Sequence, residues 1–72
     1  GSKSGNQAPK ITKREQEILE LIAKEHPSRE IAELLGISFN TVETHRKHLL
    51  NKFAVKSTVG LITEAMRSGL LE

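Results

Sequence analysis

The stretch SREIAELLGISFNTVETHRKHLL, residues 28–50, decides the fold of this 72-residue chain. Its apolar residues recur three and four positions apart, which is typical of helices, and Gly36 interrupts them where a tight turn needs a positive φ. Ala32 is small enough to let two helices approach, while Ile37 and Val42 can fill the angle between them. Any one of these residues would also fit a generic helical hairpin, but their combined spacing predicts a helix-turn-helix.

Capping and stop signals predict four helices and no strand along the chain. Thr12 and Glu15 have the spacing of a capping box at the start of the first helix, and Pro27 follows its end. Serines stand where the later helices begin and could accept hydrogen bonds from free N–H groups. These N-cap candidates are Ser28, Ser38 and Ser57. We therefore expect an all-α, four-helix domain. The predicted helices span residues 13–25, 29–35, 39–53 and 58–68.

Composition limits the class of protein. Gly1 and Ser2 resemble the scar of a cleaved expression tag, and residues 1–10 have the composition of a disordered linker, so we expect one domain over residues 11–72. The absence of cysteine excludes disulfides and thiolate metal sites. No apolar run approaches the roughly 20 residues that cross a bilayer, and we expect a soluble, cytoplasmic domain.

The charge distribution separates an acidic segment from a basic one. Residues 15–33 carry six acidic and two basic side chains, whereas residues 44–58 carry four basic side chains and no acid. This asymmetry fits a surface that faces a polyanion. It fits two ordinary solvated helix faces equally well, so charge alone leaves both interpretations open.

Projecting the third helix at about 100° per residue separates a buried face from an outward one. With Val42, Leu49 and Phe53 on the buried stripe, the opposite line carries amide, hydroxyl and ammonium groups, which bind base edges or phosphates. That outward line is Asn40, Thr44, Lys47 and Asn51. A helix in the major groove contacts bases mainly with its N-terminal half, so the first three are base-reading candidates and the last lies nearer the backbone. Ser28 and Ser38, at helix N-termini, are candidate phosphate anchors.

Taken together, these motifs resemble the LuxR/NarL-type, or GerE-type, DNA-binding domain. The resemblance rests on ITKREQEILELIA (residues 11–23), REIAELLGIS (29–38) and NTVETHRKHLLNKF (40–53), and it covers residues 11–71. It implies the C-terminal output domain of a bacterial transcription regulator, most often a two-component response regulator, with a regulatory domain outside this sequence. Double-stranded DNA is then the expected partner, RNA polymerase a further candidate, and the bacterial nucleoid the expected location.

The resemblance also implies roles by position. It places base contacts at Glu43, Thr44 and Lys47, on a third helix that lies in the major groove. With the groups identified above, the expected DNA-binding residues are Ser28, Ser38, Asn40, Thr41, Glu43, Thr44, Lys47 and Asn51. The fourth helix of the family often forms a dimer contact, which implies a weak homodimer that forms mostly on DNA. The corresponding residues here are Val59, Ile62, Thr63 and Met66.

Five positions depart from the family pattern, and one of them is Pro27, which is unusual just before the second helix. Glu25 stands where a glycine is common, Arg46 where a valine is common, and Thr58 where an arginine is frequent. We expect the stem of Arg46 to pack while its head extends to solvent. Glu43 replaces a frequent lysine, and two roles stay open for it. It could pair with Lys47 four residues later, which we favour slightly, or accept a hydrogen bond from a cytosine amino group.

Other functions have weaker support. His45 and His48 could bind zinc from adjacent helical turns, but no third ligand lies nearby in sequence, and we expect neither a metal nor a cofactor. No pairing of nucleophile and base and no phosphate loop indicates an enzyme. Two alternatives to a DNA-binding regulator remain, a protein-interaction module and a sigma-factor-like promoter-binding region. The fourth helix after Phe53 argues against the latter.

Overall fold

The computed structural model describes residues 9–71 of the chain, and its four helices lie within two residues of the predicted bounds. The helices are α1 (Lys13–Ala23), α2 (Ser28–Leu35), α3 (Phe39–Lys52) and α4 (Thr58–Arg67). The prediction of an all-α domain is confirmed, with no strand among residues 9–71. None of the helices in this range is long and apolar enough to span a membrane. The predicted tag scar and most of the predicted linker lie outside the described residues.

Side-chain caps begin three of the four helices. The capping box at α1 is confirmed, because Thr12 N–H donates to Glu15 Oε1 at 3.0 Å and Glu15 N–H donates to Thr12 Oγ1 at 3.1 Å. Ser38 and Ser57 cap α3 and α4 as predicted, each accepting from the main-chain N–H three residues later. These bonds satisfy donors that a helix start otherwise leaves free.

The start of α2 differs from the expectation. Pro27 is the N-cap and has no side-chain cap hydrogen bond, while Ser28 is already the first helical residue and is only 8% exposed. The Ser28 hydroxyl accepts a hydrogen bond from the Arg46 guanidinium at 2.9 Å. The prediction of Ser28 as a cap is therefore wrong, because α2 begins at Ser28 itself and the cap position falls on Pro27.

Two turns hold a residue other than glycine in the left-handed region. Helix α1 ends at Ala23, two residues before the predicted end, and Glu25 then takes a φ of 69° where the family commonly has glycine. Ala54 follows α3 with a φ of 56°, while Gly36 takes the positive φ expected between α2 and α3. A side chain in this region costs about 1 kcal/mol or more, so both turns store local strain.

Helix α3 packs against each of the other three helices and lies at the centre of the domain. Its buried stripe is the predicted one, with Val42 and Leu49 fully buried and Phe53 9% exposed. On α2 Ala32 is buried, and half-buried Ile37 packs against the core from the turn. These contacts confirm the helix-turn-helix and determine which face of α3 is left outward.

Candidate nucleic-acid interface

The face of α3 opposite the core is a row of exposed polar side chains. This outer row consists of Asn40, Thr44, Lys47 and Asn51. Ser38 and Thr41, at the N-terminal end of the helix, are exposed as well. The predicted separation of the two faces is confirmed, whereas contact of these residues with DNA stays a prediction. The outer row presents donors and acceptors from a helix whose other face is held by the core.

The hydroxyl of Thr44 has a fixed orientation. It donates its proton to the main-chain carbonyl oxygen of Asn40, with 3.0 Å between the two oxygens. Threonine side chains commonly bond to a carbonyl one turn earlier in a helix. With its proton committed, Thr44 offers a ligand an oxygen lone pair and a methyl group, which suit the amino group of a base or the methyl of thymine.

Two hydroxyls at the start of α3 share a hydrogen bond. Ser38 Oγ accepts from the Thr41 main-chain N–H at 3.0 Å and lies 2.8 Å from Thr41 Oγ1. Each hydroxyl has one proton, and the bond between them uses one, so the other is available to a phosphate oxygen. The positive end of the helix dipole favours an anion at the same place.

Glu43 pairs with Arg46 rather than with Lys47. Its Oε2 accepts from Arg46 Nη1 at 3.2 Å, and the ion pairs of the described residues include none to Lys47. The favoured prediction of a Glu43–Lys47 pair is therefore wrong. Because no described carboxylate neutralises Lys47, its ammonium can interact with a phosphate or a base edge.

The guanidinium of Arg46 folds inward and joins three helices. Besides Glu43, it contacts Ser28 on α2, and it donates to Thr58 Oγ1 at the start of α4 at 2.7 Å. The expectation that its head extends to solvent is wrong, because acceptors from three helices match the fork of donors on a guanidinium. We refer to Ser28, Glu43, Arg46 and Thr58 as the Arg46 cluster.

Sequence reasoning missed the Arg46 cluster, although two signals for it were present. Position 46 projects roughly 40° from the buried stripe of α3, so an arginine there starts close to the core. Thr58 stands where the family often has an arginine, and its shorter side chain offers a hydroxyl that accepts from the Arg46 guanidinium.

The Arg46 cluster keeps Glu43 ionised. Hydrogen bonding to the Ser28 hydroxyl lowers the pKa of the Glu43 carboxyl most, burial opposes this effect, and the hydrogen bond and charge of Arg46 lower the pKa further. The Glu43 side chain is 43% exposed, and its two carboxylate oxygens have about four acceptor sites, so the group can accept from an outside donor as well as from Arg46 and Ser28. Glu43 is thus a positioned, negatively charged acceptor beside the outer row.

Ser28 and Ser38 differ as phosphate anchors. The Ser38 hydroxyl is exposed, whereas the Ser28 hydroxyl is buried and bonded to Arg46. Ser28 can therefore offer a phosphate only its main-chain N–H group. The structure supports Ser38 as a side-chain anchor and restricts the predicted role of Ser28 to its main chain.

One residue of the predicted dimer face on α4 packs against the core. Val59 is 74% exposed and Met66 is 51% exposed, and Thr63 is exposed as well. Ile62, in contrast, is half-buried and packs against the core. Three of the four expected contact residues are accessible to a partner, and dimerisation itself stays a prediction.

Comparison with known proteins finds the same domain elsewhere. The family model GerE, described as bacterial regulatory proteins of the luxR family, matches residues 9–65. The oxygen regulatory protein NreC of Staphylococcus aureus, in strains JH9 and NCTC 8325, is 47% identical over 62 residues, which are 86% of this chain and 29% of NreC. This chain therefore spans less than a third of the length of these relatives.

Solved structures share the arrangement of helices. The structure of the transcription factor GerE has a TM-score of 0.82 and 32% identity, over 86% of this chain and 92% of that chain. A chain in the complex of Vibrio cholera VqmA with ligand and DNA has a TM-score of 0.81 and 36% identity, over 97% of this chain and 31% of that chain. The chain therefore belongs to the luxR family of bacterial regulatory proteins and is a DNA-binding helix-turn-helix domain.

Proposed function

We propose that the outer row of α3 enters the major groove of double-stranded DNA and reads sequence there. The observation that carries this proposal is a row of exposed polar groups on a helix whose opposite face is buried. An α-helix fits the major groove, where each base pair presents a distinct pattern of donors and acceptors. The VqmA relative was solved as a complex with DNA, which supports the same class of partner for this chain.

The role of each residue follows from its place on the helix. Ser38 and Thr41 hold a phosphate with their spare hydroxyl proton and the free N–H groups of the helix start. The residues that face base edges are Asn40, Thr44 and Lys47. Asn51 lies in the C-terminal half of α3, which is farther from the base edges than the N-terminal half. It therefore contacts the DNA backbone.

Glu43 adds a specific acceptor to this surface. Its carboxylate is ionised and held by Arg46, so it can accept a hydrogen bond from a cytosine amino group in the major groove. The same charge repels phosphates and weakens binding to DNA of other sequences. This role takes the place of the Lys47 pair that the sequence favoured.

The chain acts as the output domain of a longer transcription regulator of the response-regulator type. It spans 29% of NreC, and a regulatory domain in the rest of such a protein would bring two copies onto neighbouring half-sites. Val59, Thr63 and Met66, with the outer edge of Ile62, then form a weak homodimer on DNA, since joining two modules raises their effective concentration. RNA polymerase is a further partner at a promoter, and the cytoplasmic nucleoid is the site of action.

Titration of the domain with duplex DNA of mixed sequence tests the proposal. Neutralising phosphates releases counterions, so affinity should fall by about tenfold or more between about 50 and 200 mM salt. Lys47→Ala should weaken binding, because it removes an exposed cation from the outer row. Lys24→Ala removes an exposed cation just after α1 instead and should leave the affinity unchanged.

Two results of this titration contradict the proposal. One is absence of binding to any duplex at low salt, which would favour the protein-interaction module, with Val59 and Met66 as its exposed apolar residues. The other is an equal loss of affinity in the Lys47 and Lys24 variants, which would place the DNA surface away from the outer row.

A further inference from the structure

A carboxylate and two imidazoles meet where α1 packs against α3. One ligand atom from each of Glu15, His45 and His48 lies within 4.8 Å of the other two. Glu15 comes from α1, so the fold supplies the third ligand that is not near the two histidines in sequence. Two histidines and one glutamate form a ligand set that zinc takes in three-ligand protein sites.

The carboxylate of Glu15 has one oxygen engaged by hydrogen bonds and the other near His48. Oε1 accepts from the Thr12 N–H at 3.0 Å and from Lys52 Nζ at 2.7 Å. Oε2 lies 3.9 Å from His48 Nδ1. Bonds of about 2.0–2.1 Å to a tetrahedral zinc place two ligand atoms roughly 3.3 Å apart. Because the His48 side chain is 56% exposed, it is free to make this small adjustment.

The imidazole of His45 adds a second observation, a nitrogen that has no partner among the described residues. Its Nδ1 is a buried nitrogen without a hydrogen-bond partner in the described part of the chain. Buried polar side-chain atoms are nearly always satisfied, and an unsatisfied one requires an explanation such as a bound ion or water. Since no hydrogen bond at Nδ1 fixes the tautomer of His45, the ring can take the form that a metal needs.

We propose that Glu15, His45 and His48 bind zinc, or a divalent cation of similar preference such as Ni²⁺, and thereby join α1 to α3. The two nitrogen ligands disfavour Mg²⁺ and Ca²⁺, which prefer oxygen, and the fourth tetrahedral position is left for water. The ammonium of Lys52, which lies against the same carboxylate, repels the cation and keeps its affinity moderate.

Thermal unfolding of the metal-free chain with added ZnCl₂ tests this proposal. A ligand that binds only the folded state raises Tm, and we expect a rise of at least about 5 °C at saturating zinc, none with MgCl₂, and reversal by EDTA. His48→Gln should abolish the rise, and the exposure of this side chain allows the variant to fold. An unchanged Tm of the wild-type chain, or an equal rise in His48→Gln, overturns the proposal.

His26 provides a matched control. Its Nδ1 lies 3.0 Å from Glu30 Oε1, so the pair has two of the same ligand types without a third among the described residues. His26→Gln should therefore keep the full rise in Tm. In spectra of the imidazole nitrogens, saturating zinc should move the signals of His45 and His48 and leave those of His26 in place. A loss of the rise in His26→Gln, or shifts confined to His26, refutes the assigned site.

Removing the competing cation gives a second test of the geometry. Lys52→Gln leaves all three ligands and takes away the ammonium beside Glu15, so zinc should bind at least about threefold more tightly. Unchanged or weaker binding would show that zinc does not reach this carboxylate. None of these measurements uses DNA, so their outcome is independent of the function proposed above.

Discussion

Arg46 Nη2 lies 2.7 Å from the Thr58 hydroxyl, so the helix proposed to read DNA is tied directly to the helix proposed to form the dimer contact. Ser28 and Glu43 complete the Arg46 cluster and add α2 to the connection. With 30% of its side chain exposed and acceptors on three helices, Arg46 stabilises the domain through partly buried hydrogen bonds, which are stronger than surface ion pairs.

Arg46→Met should destabilise the domain, because it keeps an apolar stem and removes the donors. We expect the free energy of unfolding to fall by about 1–3 kcal/mol, since the buried Ser28 hydroxyl loses its partner. Arg67→Met is the matched control. Arg67 is 66% exposed and lies 3.9 Å from Glu64, so its removal should cost less than about 0.5 kcal/mol. Denaturation in guanidinium chloride measures both variants, and equal losses would contradict a structural role for the Arg46 cluster.

Glu43→Gln should change the preferred DNA sequence. The variant loses the charge of a positioned acceptor and gains an amide donor, which suits adenine better than cytosine. Among sites selected from random duplexes, we expect one position to lose its preference for cytosine, at a cost of about 1–3 kcal/mol for the original site. If affinity instead rises by the same factor for every sequence, Glu43 only repels phosphate and reads no base.

Glycine at the two strained turns should stabilise the domain. Glu25 and Ala54 have φ values of 69° and 56°, and Glu25→Gly and Ala54→Gly relieve the clash of Cβ in this region. We expect each to raise the free energy of unfolding by about 0.5–1 kcal/mol, reduced in part by the entropy of glycine in the unfolded chain. Glu20→Gly, at an exposed position inside α1, should lower it by about 1 kcal/mol. Destabilisation by the turn variants would refute the assignment of strain.

Acid should remove the contribution of Glu15 to stability. Burial is the largest single influence and raises the pKa of this carboxyl, but the hydrogen bond from Lys52, the Thr12 N–H and the charges of Lys52 and His45 together bring the pKa below its ordinary value of 4.5. A carboxyl whose pKa is lowered in the folded state stabilises that state at pH values above its ordinary pKa. The contribution is lost as the pH falls through the lowered pKa.

Comparison of the wild-type chain with Glu15→Gln measures this effect. In the presence of a chelator, we expect the difference between their free energies of unfolding to shrink between about pH 5 and pH 3. A difference that stays constant across this range would contradict the role of the ionised carboxylate.

Features of the candidate site that depend on one helix alone could be predicted from the sequence. The outer row from Asn40 to Asn51 follows from helical periodicity, because the rotation per residue is constant. The cap at Ser38 follows equally from local hydrogen-bonding chemistry. The left-handed Glu25 was indicated only by the glycine that the family has at that position.

Features that depend on contacts between helices could not be predicted in this way. Arg46 and Lys47 both lie within reach of Glu43 along α3, and the choice of Arg46 is set by Ser28 and Thr58, which come from other helices. The meeting of a carboxylate with two histidines likewise requires α1 to pack on α3. Neither contact can be predicted from the spacing of residues in the sequence.

Changes in the backbone amide signals of the domain on addition of duplex DNA test the central claim most directly. If the outer row is the DNA surface, the largest changes cluster on one side of α3 and at its N-terminal end. The residues expected to change most are Ser38, Asn40, Thr41, Thr44 and Lys47. The amide of Lys24, just after α1, should stay in place. Changes confined to α4 around Val59 and Met66, with α3 unaffected, would contradict the account.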